Sequence, residues 1–261
     1  MGIDVDPEWW KSLFDDVYLV TDARSVGDDD LTRREVDVLC EMLPLRKDDS
    51  ILDLCGGQGR HSLDLLGRGF DGCTVLDYSD ALIERGRAVA EERGIDMRFI
   101  QGDASDTGLR EESFDHILIL GNSLGYLPEE ADDVRIMREA LRLLRPGGWI
   151  LVDVADGSVM RRKFNPNAWH EIEGDIVVCR ERELGKDSIR AREVVISKES
   201  GLVRERTYAI RTYGPDGLTE LVRKSGFEEV SVRRGFSSRE VQSDYGFMDQ
   251  RLITTARKQH V

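Results

Sequence analysis

The residues best placed to do chemistry are carboxylates that close short apolar runs. Asp53 lies in ILDLC at 51–55, and the chain turns at once through Gly56, Gly57 and Gly59 into a helical stretch. Glycines in such a turn let backbone N–H groups approach a ligand closely, and ligands of open α/β sheets gather at this carboxyl edge. Asp77 closes the next run, CTVLD, 24 positions after Asp53. A carboxylate there can accept both hydroxyls of a ribose. Asp103 ends a third run, MRFIQGD, where it either joins a site or caps the turn behind it. A dinucleotide motif would need glycine where Ser62 stands, and no G-x-x-x-x-G-K-[ST] occurs. The spacing therefore favours a ribose without pyrophosphate or triphosphate.

A fourth run, FDHILILGN at 114–122, delivers Asn122 and Ser123 to the same edge, with Tyr126 in the loop beyond. Asn122 is either a turn former or a site residue, and Tyr126 can donate to a ligand or stack on it. Cys55 reads as a small packing residue, because no basic partner lies at close spacing. His61 opens the helix after the glycine turn, facing the cleft or packing. Trp9, Trp10, Phe14 and Tyr18 share one acidic segment, either a packing stripe or a lid.

These residues need a scaffold. Between Ser50 and Leu151 apolar runs alternate with amphipathic helical stretches, and WILVDVA at 149–155 reads as a buried fifth strand. Such units make a doubly wound, mostly parallel sheet. After Ala155, DIVVCRERELG, SIRAREVVISKES and GLVRERTYAIRTY alternate apolar and polar residues without a helix, predicting three antiparallel strands. PDGLTELVRKSGF, FEEVSVRRG and QRLITTARK then return helix, sixth and seventh strands to the main sheet. The expected organisation is a helical lid over 1–45, a core of 46–156 and 214–261, and an inserted β cap over 157–213 between strands five and six. Trp169 and His170 sit where the chain enters this insert, and Arg211 and Tyr213 where it leaves. Both junctions are expected near the carboxyl edge, with the insert roofing a substrate pocket.

Composition narrows the partners. The 261 residues hold 37 Lys+Arg against 51 Asp+Glu, a charge of −14, which repels phosphate backbones and disfavours nucleic acid. The four cysteines form no C-x-x-C pair and no zinc spacing, so neither a metal nor a disulfide framework is expected. The acidic N-terminus lacks a signal-peptide pattern and no apolar run reaches membrane-spanning length, which predicts a soluble, cytoplasmic protein. An edge of the inserted sheet offers a homodimer contact.

The segments ILDLCGGQGRHSLDLLGRGF, TVLDYS, QGDASD, FDHILILGNSLGYL and LRLLRPGGWILVDV resemble, in order and spacing, the class I S-adenosylmethionine-dependent methyltransferases. The resemblance runs from about Leu31 through the seventh strand, and LGNSLGYL is similar to the GNSF stretch of glycine N-methyltransferases. It implies a Rossmann-like fold and S-adenosylmethionine as cofactor, with S-adenosylhomocysteine as product. By the same resemblance Asp53, Cys55, Gly57 and Gly59 cradle the methionine part, Asp77 holds the ribose, and Tyr78 lies against the adenine. Asp103 and Ala104 meet the adenine edge, the Leu120 carbonyl meets the methionine amine, and Arg33 or Arg34 meets its carboxylate. Cys55 replaces a family glycine, and fits there if it keeps a negative φ.

The implied reaction is methyl transfer to a small molecule, with an amine as first choice and Asn122, Tyr126 and Tyr18 orienting it. Ser123, Phe14, Trp169, Arg211 and Tyr213 are the expected substrate contacts. An oxygen or carbon acceptor would instead need a base, His170 or His61. Three rivals stay open: another transfer or cyclisation with the same cofactor, a tRNA or protein methyltransferase, and a non-enzymatic cofactor sensor.

Overall fold

The sheet strands that reach the glycine turn are nearly continuous apolar runs, as expected where helices cover both faces. The computed structural model describes residues 2–22, 27–236 and 250–260. In it β1 (Ser50–Leu54), β2 (Gly72–Asp77), β3 (Arg98–Gln101), β4 (Phe114–Ile119), β5 (Leu144–Ala155), β10 (Glu228–Phe236) and β11 (Arg251–Arg257) form one seven-stranded sheet. Its order is β10-β11-β5-β4-β1-β2-β3. Only β11 runs against its neighbours, pairing antiparallel with β5 and β10. The order reverses between β1 and β4, which places the crevice for ligands at their carboxyl ends.

Helices flank both faces. On one, α3 (Asp29–Met42) and α4 (Arg60–Gly67) press Val36, Leu39 and Leu65 against Ile51, Leu118 and Leu151. On the other, α6 (Glu130–Leu143) and α8 (Pro215–Lys224) pack Met137, Ala140, Leu218 and Leu221 against Leu52, Ile117 and Val152. Between β2 and β3, α5 (Asp80–Glu92) sets Ile83 and Ala90 on Val75 and Phe99. Each of Leu52, Ile117 and Val152 is fully buried, so this core fixes the strand ends that carry the site.

Two regions depart in detail from the sequence expectation. The N-terminal segment is not one helix but two, α1 (Trp10–Leu13) and α2 (Asp16–Thr21). Asp15 breaks the run by acting as N-cap of the second, its side chain accepting from the Tyr18 amide at 3.0 Å. The inserted sheet has four strands rather than three: β6 (Asn167–Ile172), β7 (Ile176–Leu184), β8 (Ser188–Ser197) and β9 (Gly201–Arg211), in that order. β6 is an edge strand, exposed or half-buried at every position, so its apolar pattern is weak. A short helix α7 (Gly157–Arg162), capped by Asp156, leads from β5 into this sheet. No helix among the described residues is long and apolar enough to cross a membrane.

Candidate functional site

A cavity of about 280 Å³ opens at the carboxyl ends of β1, β2 and β4, between the core, α1–α2 and the inserted sheet. One end is built from strand termini. After β1 the chain takes the left-handed region at Cys55 (φ 61°) and again at Gly57 (φ 58°). The expectation of a negative φ at Cys55 is therefore corrected: it takes the glycine conformation itself, at a steric cost of about 1–2 kcal/mol. Gly56 carries no such angle but has no room for a side chain, since a Cβ would meet Asp53 Cγ at 2.6 Å.

The resulting turn aims the Gly57 amide at Asp77 Oδ2, 2.7 Å away, while Ser79 N donates to Oδ1 at 2.8 Å. Burial nonetheless raises the Asp77 pKa. Asp53 accepts from Ser62 Oγ at 3.0 Å, and its other oxygen is buried without a hydrogen-bond partner. Burial lifts its pKa to about 6. Asp103 also lines the cavity while accepting from Ser105 N at 2.7 Å, so site and cap are one residue. Tyr78 and Ala104 line the same end, and Trp10 meets the Tyr78 ring edge-on at 4.7 Å.

Beneath this end lies an ion-pair cluster. Glu35 pairs with Arg60 at 2.5 Å, with His61 Nε2 at 2.9 Å and with Arg251, which also holds Asp153. Burial works to raise the Glu35 pKa, but Arg251 and Arg60 hold it well below the usual range. His61 is drawn down to about 4, chiefly by burial, and is neutral at physiological pH. Arg60 and His61 both border the cavity.

The other end is aromatic and charged. Phe14 stacks on Tyr126 at 5.5 Å, and Trp9 meets Tyr126 and Tyr208 at 5.3 and 5.6 Å. Asn122, at φ 66°, accepts from the Ala155 amide through Oδ1 at 2.9 Å. The Asn122 side chain also partly offsets the rise that burial gives the Tyr126 pKa. From the inserted sheet come Arg180, Arg182, Glu193 and Arg204. Glu193 accepts from Arg180 Nε at 2.7 Å and from Arg204 at 2.8 Å. Arg204 also donates to the Leu13 carbonyl at 3.0 Å and pairs with Asp15, and Arg180 reaches Asp22 at 3.2 Å. Ser79 Oγ fastens the same helices to the core through the Phe14 carbonyl, at 2.5 Å.

Most expected site residues meet in this cavity: Asp53, Cys55, Gly57, Asp77, Tyr78, Asp103, Ala104, Leu120, Asn122, Ser123, Tyr126, Phe14 and Tyr18 line it. Gly59 shapes the turn instead, as the left-handed N-cap of α4. Ser123 donates to the Leu120 carbonyl at 2.7 Å, so both serve the loop as well as the cavity. Six assignments are displaced. Arg33 and Arg34 sit on the exposed face of α3, Arg33 paired with Asp30. The guanidinium groups that border the cavity there are those of Arg60 and Arg251. Trp169 is 69% exposed on the outer face of the edge strand β6. His170 meets the Thr21 carbonyl at 3.3 Å rather than the cavity. Arg211 and Tyr213 bind the buried Asp133, each at 2.5 Å, and that carboxylate accepts from Gly125 N at 3.1 Å. They brace the loop that carries Tyr126.

Residues 51–148 match the family model described as a methyltransferase domain. A demethylmenaquinone methyltransferase of Beutenbergia cavernae is 34% identical over 154 residues, 58% of this chain and 59% of that protein. A ubiquinone/menaquinone biosynthesis C-methyltransferase of Idiomarina loihiensis is 34% identical over 112 residues, 41% of this chain and 43% of its own length. The match thus spans about half the length of these curated relatives. Among solved structures, an S-adenosylmethionine-dependent methyltransferase from Clostridium acetobutylicum superposes with a TM-score of 0.72 at 14% identity, covering 93% of this chain and 96% of that one. At that identity the likeness is one of fold.

Proposed function

We propose that this chain, a class I methyltransferase by its domain and fold, transfers a methyl group from S-adenosylmethionine to a small flat acceptor beneath its N-terminal helices. One observation carries the reading: the carboxylates of Asp53, Asp77 and Asp103 converge on a single cavity with the aromatic wall of Trp9, Phe14 and Tyr126. The residues fit the cofactor. The unpartnered Asp53 oxygen suits an amino group, Asp77 suits the two ribose hydroxyls, and the Cys55–Gly57 turn admits close backbone approach. Arg60, whose fork reaches the cavity, suits the carboxylate.

When bound, S-adenosylmethionine supplies a methyl group on a sulfonium sulfur and leaves as S-adenosylhomocysteine. The chain's residues align the acceptor and exclude water, the main demands of in-line displacement. Asn122, its Oδ1 held by the Ala155 amide, is placed to orient Tyr126, whose hydroxyl proton is left to donate. Over the amine that the glycine N-methyltransferase resemblance implies, we favour transfer to oxygen or carbon. Support for this comes from the relatives named for quinone methylation. No histidine is available as base at the aromatic end. His61 is tied to Glu35, His170 faces Thr21, His116 binds Asp49, and His260 contacts Arg257. The acceptor must then bring its own nucleophilic lone pair.

The test is turnover of a panel of hydroxylated aromatics and matched amines, with the nucleoside product identified by mass spectrometry. S-adenosylhomocysteine appearing with the hydroxylated acceptors is the expected result. Methylthioadenosine would indicate a different transfer, and tight S-adenosylmethionine binding without turnover of any acceptor would indicate a sensor.

A further inference from the structure

We infer that the acceptor is an oxyanion, a flat ring bearing an ionised hydroxyl or a carboxylate, received by the guanidinium groups that the inserted sheet presents to the cavity. This rests on the methyltransferase reading above and adds the substrate class. Arg180 and Arg182 on β7 and Arg204 on β9, the strands either side of β8, line the cavity, and Arg182 and Arg204 are only 5% and 6% exposed. Two lining carboxylates, Glu193 and Asp22, stand against them. A third, Asp15, pairs with Arg204 from a position 39% exposed, where solvent screens it.

Hydrogen bonding points the same way as charge. Arg204 spends its terminal nitrogens on Glu193, Leu13 and Asp15, and its Nε–H is buried with no acceptor. A buried donor left unmade is costly, and a ligand oxygen supplies what it lacks. A protonated amine supplies only further donors and meets like charge. An ionised hydroxyl also answers the want of a base, because it arrives with the lone pair, or the electron-rich ring carbon, that accepts the methyl. The new carbon–oxygen or carbon–carbon bond forms as the carbon–sulfur bond breaks with its electrons going to sulfur. For a carbon acceptor the ring proton is then lost to solvent.

The experiment uses the full chain loaded with S-adenosylhomocysteine and titrated with para-nitrophenolate, para-toluate and para-methylbenzylammonium, followed by calorimetry. At least one anion should bind about tenfold or more tightly than the ammonium, a gap of about 1.4 kcal/mol. The tighter of the two anions tells an ionised hydroxyl from a carboxylate. Arg204→Lys, which keeps the charge and removes Nε–H, and Arg182→Gln should each reduce that gap, with S-adenosylhomocysteine affinity held within about twofold. An ammonium that binds as tightly as both anions in the unaltered chain overturns the inference, as does a gap that survives both substitutions. Failure to bind S-adenosylhomocysteine at all overturns the underlying methyltransferase reading instead.

Discussion

The two ends of the cavity are made differently. The end proposed for the cofactor comes from strand termini and turns between residues 53 and 104, lined by a tight glycine turn and short carboxylates. The acceptor end is assembled from side chains of α1–α2, the loop after β4 and the inserted sheet, segments separated by up to 191 positions where Arg204 meets Leu13. The first is a local consequence of strand, turn and helix. The second exists only once the whole chain is folded. Buried ion pairs make up the lining of the second, whereas at the first the corresponding cluster of Glu35, Arg60 and Arg251 lies beneath a turn made by backbone geometry.

Glu193→Gln tests that contrast most severely. It leaves Arg180 and Arg204 buried without their shared carboxylate, and a loss of about 3–5 kcal/mol in urea unfolding is expected. Loosened α1–α2 should also raise the acceptor KM by more than the cofactor Kd. Asp77→Asn should do the reverse. It weakens the charged hydrogen bonds to Gly57 and Ser79 and the ribose site together, lowering S-adenosylhomocysteine affinity by about a hundredfold in calorimetry with the acceptor end intact.

Legibility in the sequence follows the same divide. Asp53, Gly57 and Asp77 could be read because each lies in or just after an apolar run that ends in a turn or an acidic residue. Arg180, Arg182 and Arg204 could not. Period-two alternation separates the faces of a strand, but both faces of this sheet carry arginine and glutamate: Glu181, Arg192 and Glu205 interact on the outer side. Nothing local says which face turns inward. The buried stripe of α3 runs through Thr32, Glu35, Val36 and Leu39, and helical periodicity puts Arg33 and Arg34 outside it. Arg60 was visible directly after the glycine turn. Asp15, an Asp at the foot of a helical run, was a cap signal inside what read as one helix.

Smaller effects sharpen the comparison. Tyr126→Phe should lower kcat by about tenfold and leave the cofactor Kd unchanged, as measured by single-turnover kinetics and calorimetry. Asn122→Ala should lower kcat in the same direction, and if Asn122 acts through Tyr126 the double variant should be no worse than the more damaging single one.

The pH dependence of stability holds two opposed contributions at the cofactor end. His61 has a folded pKa of about 4 against an ordinary 6.5, so the unfolded chain takes up a proton first and stability falls as pH drops between those values. Asp53, at about 6 against an ordinary 3.8, does the opposite, stabilising the fold on acidification through that window. Asp53→Asn should therefore steepen the acid loss between pH 6 and 4, and His61→Gln should turn it toward a gain. Each should alter the slope by about 1 kcal/mol per pH unit in urea titrations at fixed ionic strength.

The placement of α1 and α2 has a kinetic consequence. Trp10 touches Tyr78 at one end of the cavity, while Trp9 touches Tyr126 and Tyr208 at the other. The same short helices are fastened to the core through Ser79 and to the inserted sheet through Arg204. They border both ends of the cavity as one piece, so on the proposed function unfastening them is a step that departure of either product shares. The entry and exit rates of methylated product and spent cofactor should thereby be coupled, so a change at Arg204 alters how fast a far-end molecule exchanges more than how tightly it is held.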